Sequence, residues 1–377
     1  MGFDEEYLNL SVNAAIMHDI GSVMISGNTN VAEIESQAKR IASMGAEMLS
    51  DLPKFDKIAQ VIKYSQSSWT EIENMISDDP VKTEYAKISA IVHLADSISL
   101  MIVKDKPILN QAKNICDTIN SCVDTEFMPE AAEAFFKLGR LEYIWLDLLK
   151  FPSYFLMIFT GKMKSLTLEE TAEFVKIMSR IIDYRSPFTA MHSAGVAASA
   201  VELAKLCSMT EEECIKMEIA GYLHDIGKLI VPKEILEKPG KLSDEEFNII
   251  KEHSYYTRLI LMNVDGFSEI SDWAGFHHEK LNGKGYPFHF DSEVLDKGSR
   301  IMAAADIFSA ITEERPYRKG MSKEQAVTVM AHNTENGTLC PEIVKLLLDI
   351  YEQVEAARDK ASREAGKRYF ESIGKLK

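Results

Sequence analysis

In YLHDIGKLIVP (222–232), His224 and Asp225 stand side by side and Lys228 follows three positions after the aspartate. IMHDIGSVMIS (16–26) carries the same His-Asp-Ile-Gly core, with Ser22 in place of the lysine. Further donors accompany the first pair: His192, His253, the doublet His277–His278, and Asp306 inside the small-residue run MAAADIFSA. A single histidine on a helix is usually an ordinary core or surface residue. A His-Asp pair, a His-His doublet and a carboxylate whose tightly packed helix obliges it to find a partner are a less ordinary set. Imidazoles and carboxylates without thiolates suit iron or manganese, with nickel, cobalt and zinc also admissible. Six or seven such donors exceed the needs of one ion and suit two, bridged by a shared carboxylate and a hydroxide.

Anion-binding groups lie close to these donors in sequence. Lys228 follows His224 by four positions, which on one helix face lets it reach a phosphate held at the metals. Arg315 and Arg318 of RPYRKG have the fork geometry for a bidentate phosphate clamp, and Lys319 adds local charge. Gly283 and Gly285 in LNGKGYP give a loop backbone freedom, which Tyr286–Pro287 ends stiffly.

The elements that must hold these groups are helices. Apolar residues recur mostly at helical spacing, 46% of the 377 residues are hydrophobic, and there are only 19 Gly and 11 Pro, so the expected fold class is all-α. An internal repeat organises them. AAIMHDIGSVMI (14–25) lies over AGYLHDIGKLIV (220–231), HLADSISLMI (93–102) over AAADIFSAIT (303–312), and MPEAAEAFFKL (128–138) over CPEIVKLLLDI (340–350). The order is kept, and the offsets drift only from 206 to 212, as loop insertions would produce. Two copies of one helical module follow: residues 1–150, a connecting segment 151–184, and residues 185–377. In the connector, Thr167 and Glu170 fit a capping box opening an apolar helix, and Pro187 disfavours helix at Ser186. The next helix carries His192 and has no counterpart in the first copy; the repeat offset places its equivalent before Met1.

A formal charge of −16 argues against a DNA or RNA duplex or an anionic membrane as partner, so a phosphate ligand must meet a local basic site. The most apolar stretch, FPSYFLMIF (151–159), is well short of the ~20 residues of a membrane span and reads as a buried helix or interdomain surface. Five cysteines without CxxC spacing fit a reducing cytoplasm. A homodimer is left open.

The pattern HS…HDIGK…H…HHEKLNGKGYP…AAD…RPYR resembles the HD-GYP family, the branch of HD phosphohydrolases that degrades cyclic dinucleotides. The resemblance runs from about Asp183 to Glu355. It implies two tandem HD-type helical modules, with His192, His224, Asp225, His253, His277, His278 and Asp306 on the metals and Asp225 as the bridging, catalytic carboxylate. It also implies that Lys228, Arg315 and Arg318, with the loop of Gly283, Gly285 and Tyr286, meet the substrate. Cyclic di-GMP, cleaved to pGpG and on to GMP, is the substrate the family implies first. Cyclic GMP-AMP is the enzymatic alternative, and a non-hydrolytic dinucleotide receptor or scaffold is the rival. Asn282 stands where the family usually has aspartate. Phe188 stands where some members have a glutamate that helps hold a third metal, so two ions are implied.

The first copy keeps His18, Asp19 and Asp96, but Ser65 and Gln66 match the histidine doublet and a position near Ile41–Ser43 matches His253. It lacks the GYP segment and the RPYR arginines. The expectation is a silent module whose His18–Asp19 pair is a buried, hydrogen-bonded relic.

Overall fold

The computed structural model describes residues 2–24, 36–50, 53–74, 76, 79–103, 105–150, 166–183, 187–236, 238, 240–314 and 319–375. They form two units, Met1–Ser165 and Leu166–Lys377, with helices and turns but no strand among the described residues.

The first unit runs α1 (Glu5–Met17), a 3₁₀ turn Ile20–Met24, α2 (Ala38–Ser50), α3 (Asp56–Tyr64), α4 (Trp69–Glu73), α5 (Pro80–Met101), α6 (Ile108–Ser121), α7 (Pro129–Gly139) and α8 (Glu142–Lys150). One core gathers Leu10, Ala14, Leu49, Val61, Ile62 and Ile88 from α1, α2, α3 and α5. A second joins Trp69, Ile72, Leu94, Ile119, Met128 and Trp145.

The second unit continues with α9 (Leu168–Asp183), α10 (Pro187–Leu206), α11 (Glu211–Leu223), a 3₁₀ turn Ile226–Ile230, α12 (Lys233–Leu236), α13 (Asp244–Leu261), α14 (Ser268–Gly275), α15 (Lys297–Thr312), α16 (Lys323–Glu335), α17 (Pro341–Asp349) and α18 (Tyr351–Lys375). The expected connecting helix is α9. It starts on the capping box, with Thr167 N–H donating to Glu170 Oε2 (2.9 Å) and Glu170 N–H to Thr167 Oγ1 (3.3 Å), and packs on α10 and α11 within this unit.

Helix α10 is apolar nearly all round because it is the centre of the unit, packed by α11, α15 and α18. Val196, Ala200, Leu203 and Ala204 are fully buried with Met217, Ala220, Met302 and Phe308. Small residues let these helices approach closely: a Cβ on Gly221 of α11 would lie 2.5 Å from Ala197 Cα of α10. That contact brings the end of α11, where His224 sits, up to the start of α10, where His192 sits. The stretch 151–159, Arg315 and Arg318 lie outside the described residues, as does the side chain of Phe188 on α10.

Candidate metal centre

Helix α11 stops at His224, its C-cap, and Asp225 (φ −102°, ψ 7°) turns the chain into the 3₁₀ segment. Gly227 explains the turn. A Cβ there would collide with the His253 carbonyl of α13, and Gly227 N–H donates to Thr257 Oγ1 (3.0 Å). Thr257 in turn donates to the His224 carbonyl (2.9 Å). The His-Asp turn is thus fastened to the helix that supplies His253. His277 and His278 follow the end of α14, Asp306 comes from the middle of α15, and His192 from α10.

All seven expected donors meet in one buried cage. His192 Nε2 is 3.2 Å from Asp306 Oδ1, and His224 Nε2 is 3.3 Å from Asp225 Oδ2 and 3.9 Å from Asp306 Oδ1. His253 Nε2 is 3.4 Å from Asp225 Oδ1, and His278 Nδ1 is 3.8 Å from Asp306 Oδ2. Three groups have donor atoms within 4.8 Å of one another: His253–His277–His278, His192–His224–Asp306, and His224–Asp225–His277, which shares a histidine with each of the others.

The ring orientations have a local cause. His224, His253 and His277 each donate Nδ1–H to the carbonyl three residues earlier, Gly221 (2.8 Å), Ile250 (2.6 Å) and Ala274 (2.6 Å). A carbonyl only accepts, so each ring carries a proton on Nδ1 and turns Nε2 inward, where the uncharged imidazole has its lone pair. His253 Nε2 and His277 Nε2 face each other at 3.2 Å. His224 Nε2 and Asp225 Oδ1 are buried without a hydrogen-bond partner among the described residues. Facing lone pairs and unsatisfied buried acceptors are costly unless a cation lies between them, so this donor set fits divalent metal.

Charge is distributed accordingly. Burial, reinforced by Lys228 and His278, holds His253 down to about 4, and burial with the neighbouring imidazoles holds His277 well below its usual range. Burial opposes the ionised carboxylates of Asp225 and Asp306. Neighbouring side chains outweigh it, His224 and Lys228 at Asp225 and His192 at Asp306, and lower both. For His192, burial is outweighed by Asp306 and Glu313, which raise it to about 9.

Glu313 is a residue that no motif announced. Its buried carboxylate lies 3.4 Å from His192 Nδ1, an ion-pair distance longer than the 2.6–2.8 Å carbonyl bonds of the other three rings, on the side of this ring where those rings meet a carbonyl. Glu279 is a second. Buried directly after the doublet, it accepts the N–H groups of Phe288 (2.7 Å) and Phe290 (3.1 Å), and so holds the GYP loop. In that loop Gly283 has φ +69°, a Cβ on Gly285 would enter the Glu279–Lys280 backbone, and Tyr286 packs 4.9 Å from the His278 ring. Asn282 keeps two hydrogen bonds, from its amide to the Asn336 carbonyl and from Lys284 N–H to its Oδ1.

Lys228 needs correction. It is not on a helix face with His224, because α11 has already ended; it sits in the 3₁₀ turn with Nζ 2.5 Å from Asp225 Oδ2.

The first unit repeats the turn without the cage. His18 Nε2 lies 3.4 Å from both Asp19 and Asp96, and Gln66 donates to Asp96 Oδ2 (2.8 Å). The pair is not the buried relic expected: the Asp19 side chain is 57% exposed, and the enclosed partner of His18 is Asp96.

Histidines and aspartates converging inside a helical unit define an HD-type, metal-dependent phosphohydrolase. Comparison agrees. The HD domain family profile matches residues 176–343. A 3'3'-cGAMP-specific phosphodiesterase of Vibrio cholerae is 30% identical over 92% of this chain and 83% of its own length. A cyclic di-GMP phosphodiesterase of Pseudomonas aeruginosa is 36% identical over 42% of this chain, which spans only 38% of that protein. A solved structure of the V. cholerae cyclic GMP-AMP specific phosphodiesterase V-cGAP3 shares the fold, at a TM-score of 0.58 and 21% identity over 96% of this chain and 88% of that one. The chain belongs to the HD-GYP-type phosphodiesterases of the HD domain family.

Proposed function

We propose that the second unit binds two divalent ions, iron or manganese, and hydrolyses cyclic di-GMP to pGpG and onward to GMP. The observation that carries this is the pair of separate donor groups joined by a third that contains Asp225, the arrangement a bridging carboxylate requires. When bound, the ions supply Lewis acidity toward a phosphoryl oxygen and a more acidic water. The chain's own residues do the rest. The Nδ1 tethers hold three rings in place, Asp225 spans the two donor groups, and Lys228, beside Asp225 and partly exposed, offers its ammonium to charge developing on the phosphate. Arg315 and Arg318 are assigned to the same anion. A cytoplasmic location is in keeping with five free thiols, and no described helix is long and apolar enough to cross a membrane.

Cyclic GMP-AMP is the second reading, favoured by the relative that matches over most of both chains, whose name gives that specificity. Protein loaded with iron or manganese and offered a panel of cyclic dinucleotides, with products followed by chromatography, decides between them. Folded, loaded protein that releases no linear product from any of them would turn the assignment to a receptor.

A further inference from the structure

The cage opens on one side. The His278 side chain is 30% exposed and that of Lys228 29%, whereas His192, His224, Asp225, His253 and Asp306 are almost wholly enclosed. At this mouth the two rings already given a part, His278 and Tyr286, are joined by a third that has none. Tyr286 packs on His278, and Phe247 of α13 meets Tyr286 edge to face at 6.1 Å and 81°. One turn along α13, Lys251 Nζ lies 5.4 Å from the centre of the Phe247 ring.

Phe247 has no part in the core. Helix α13 buries His253, Ser254, Thr257 and Leu261, while Phe247 is 44% exposed. Single exposed apolar residues are commonplace. This one is distinguished by an unbroken path of rings, His278 to Tyr286 to Phe247, leading out of the cage, and by the cation beside it. The other aromatic cluster near the loop, Phe276, Phe288 and Phe290, is packed on itself and on Arg258, which is engaged by Asp272 at 2.8 Å.

We propose that Phe247 is a stacking platform for one purine base of the cyclic dinucleotide, with Lys251 placed to meet acceptors on the purine edge. The proposal rests on the function put forward above: a phosphodiester held at the cage carries its bases outward through the mouth, where a half-exposed ring meets them. Stacking is indifferent to sequence, since every base has a π face, while a lysine beside it favours the O6 and N7 acceptors of guanine, which both candidate substrates contain.

The test is a kinetic split on metal-loaded, full-length protein. Phe247→Ala is expected to raise KM for the hydrolysed cyclic dinucleotide about tenfold or more, the loss of one base–aromatic stack. Metal content should not change, and kcat should stay within about twofold, because uniform binding is what is lost. Phe247→Trp should restore KM, and the fluorescence it adds over the wild-type chain should be quenched by cyclic di-GMP and not by inorganic phosphate. Wild-type KM in the alanine variant, or a tryptophan at 247 blind to the dinucleotide, would overturn the platform while leaving the phosphodiesterase standing. A wild-type chain inert toward every cyclic dinucleotide would overturn both.

Discussion

At His18 and at His224 the backbone does the same thing. Each histidine donates Nδ1–H to the carbonyl three residues back, at 2.7 and 2.8 Å, and each is followed by a 3₁₀ turn closed by a backbone hydrogen bond, Ser22 N–H to Asp19 and Lys228 N–H to Asp225. Gly21 sits against the Ile41 carbonyl as Gly227 sits against that of His253. Ser65 donates its hydroxyl to the Ile62 carbonyl (2.8 Å), in the register where His277 donates to that of Ala274. The side chains that would face an ion differ: Ile41, Ser65 and Gln66 stand in place of His253, His277 and His278, and the first unit has no counterpart of His192 and no lysine to answer Lys228. In the first unit the Asp96 carboxylate is balanced by the Gln66 amide and by a proton on His18, whose pKa climbs to about 9 because Asp96 and Asp19 outweigh its burial. A proton has taken the charge-balancing role that metal is assigned in the second unit. The frame of an HD turn is therefore independent of the chemistry it frames.

That contrast is tested most severely at the two aspartates. Asp225→Ala should lose both ions together and lower turnover by well over about 10²-fold, whereas Asp19→Ala should alter neither; metal analysis with kinetics reads both. Retention of two ions in Asp225→Ala would remove the bridge. Next in size, Lys228→Ala should lower kcat about 10²-fold with metal content intact. Unchanged turnover would reduce Lys228 to the partner of Asp225 in a structural ion pair. Glu313→Ala should weaken metal affinity about 10- to 100-fold, with Glu313→Gln recovering part of it, as a competition titration with a chelator would show.

The smallest effect belongs to the silent turn. His18→Ala with Asp19→Ala should leave metal and activity untouched and lower Tm by a few degrees, as expected for the loss of about 1 kcal/mol or more. The pH dependence has a definite sign. The His18 pKa is raised on folding from 6.5 to about 9, so its stabilisation is complete below pH 6.5 and disappears as pH rises through about 9. The Tm gap between wild type and His18→Ala should therefore narrow between pH 7 and 9.5; a constant gap would remove the protonated pair.

The helical class could be read from apolar spacing, and the doublets and the small-residue run around Asp306 announce five of the seven donors locally, while the isolated His192 and His253 take their place in the set through the family resemblance. Glu313 could not. It reaches His192 only because α15 packs on α10, a contact across more than a hundred residues that no spacing encodes. Lys228 was misplaced for a related reason: the i, i+4 rule presumes a continuing helix, and the close approach of Gly227 to α13 ends it. The exposure of Asp19 was equally hidden, since the pairing of His18 with Asp96 is made by tertiary packing.

Glu279 has a wider consequence. One carboxylate, adjacent in sequence to His278, suspends the loop that lays Tyr286 on that same ring. On the proposed function, ion occupancy and occupancy of the mouth would share a mechanical element, and any coupling between the two equilibria would be equal in both directions. Whatever factor the dinucleotide adds to the affinity for metal, metal returns to the affinity for dinucleotide.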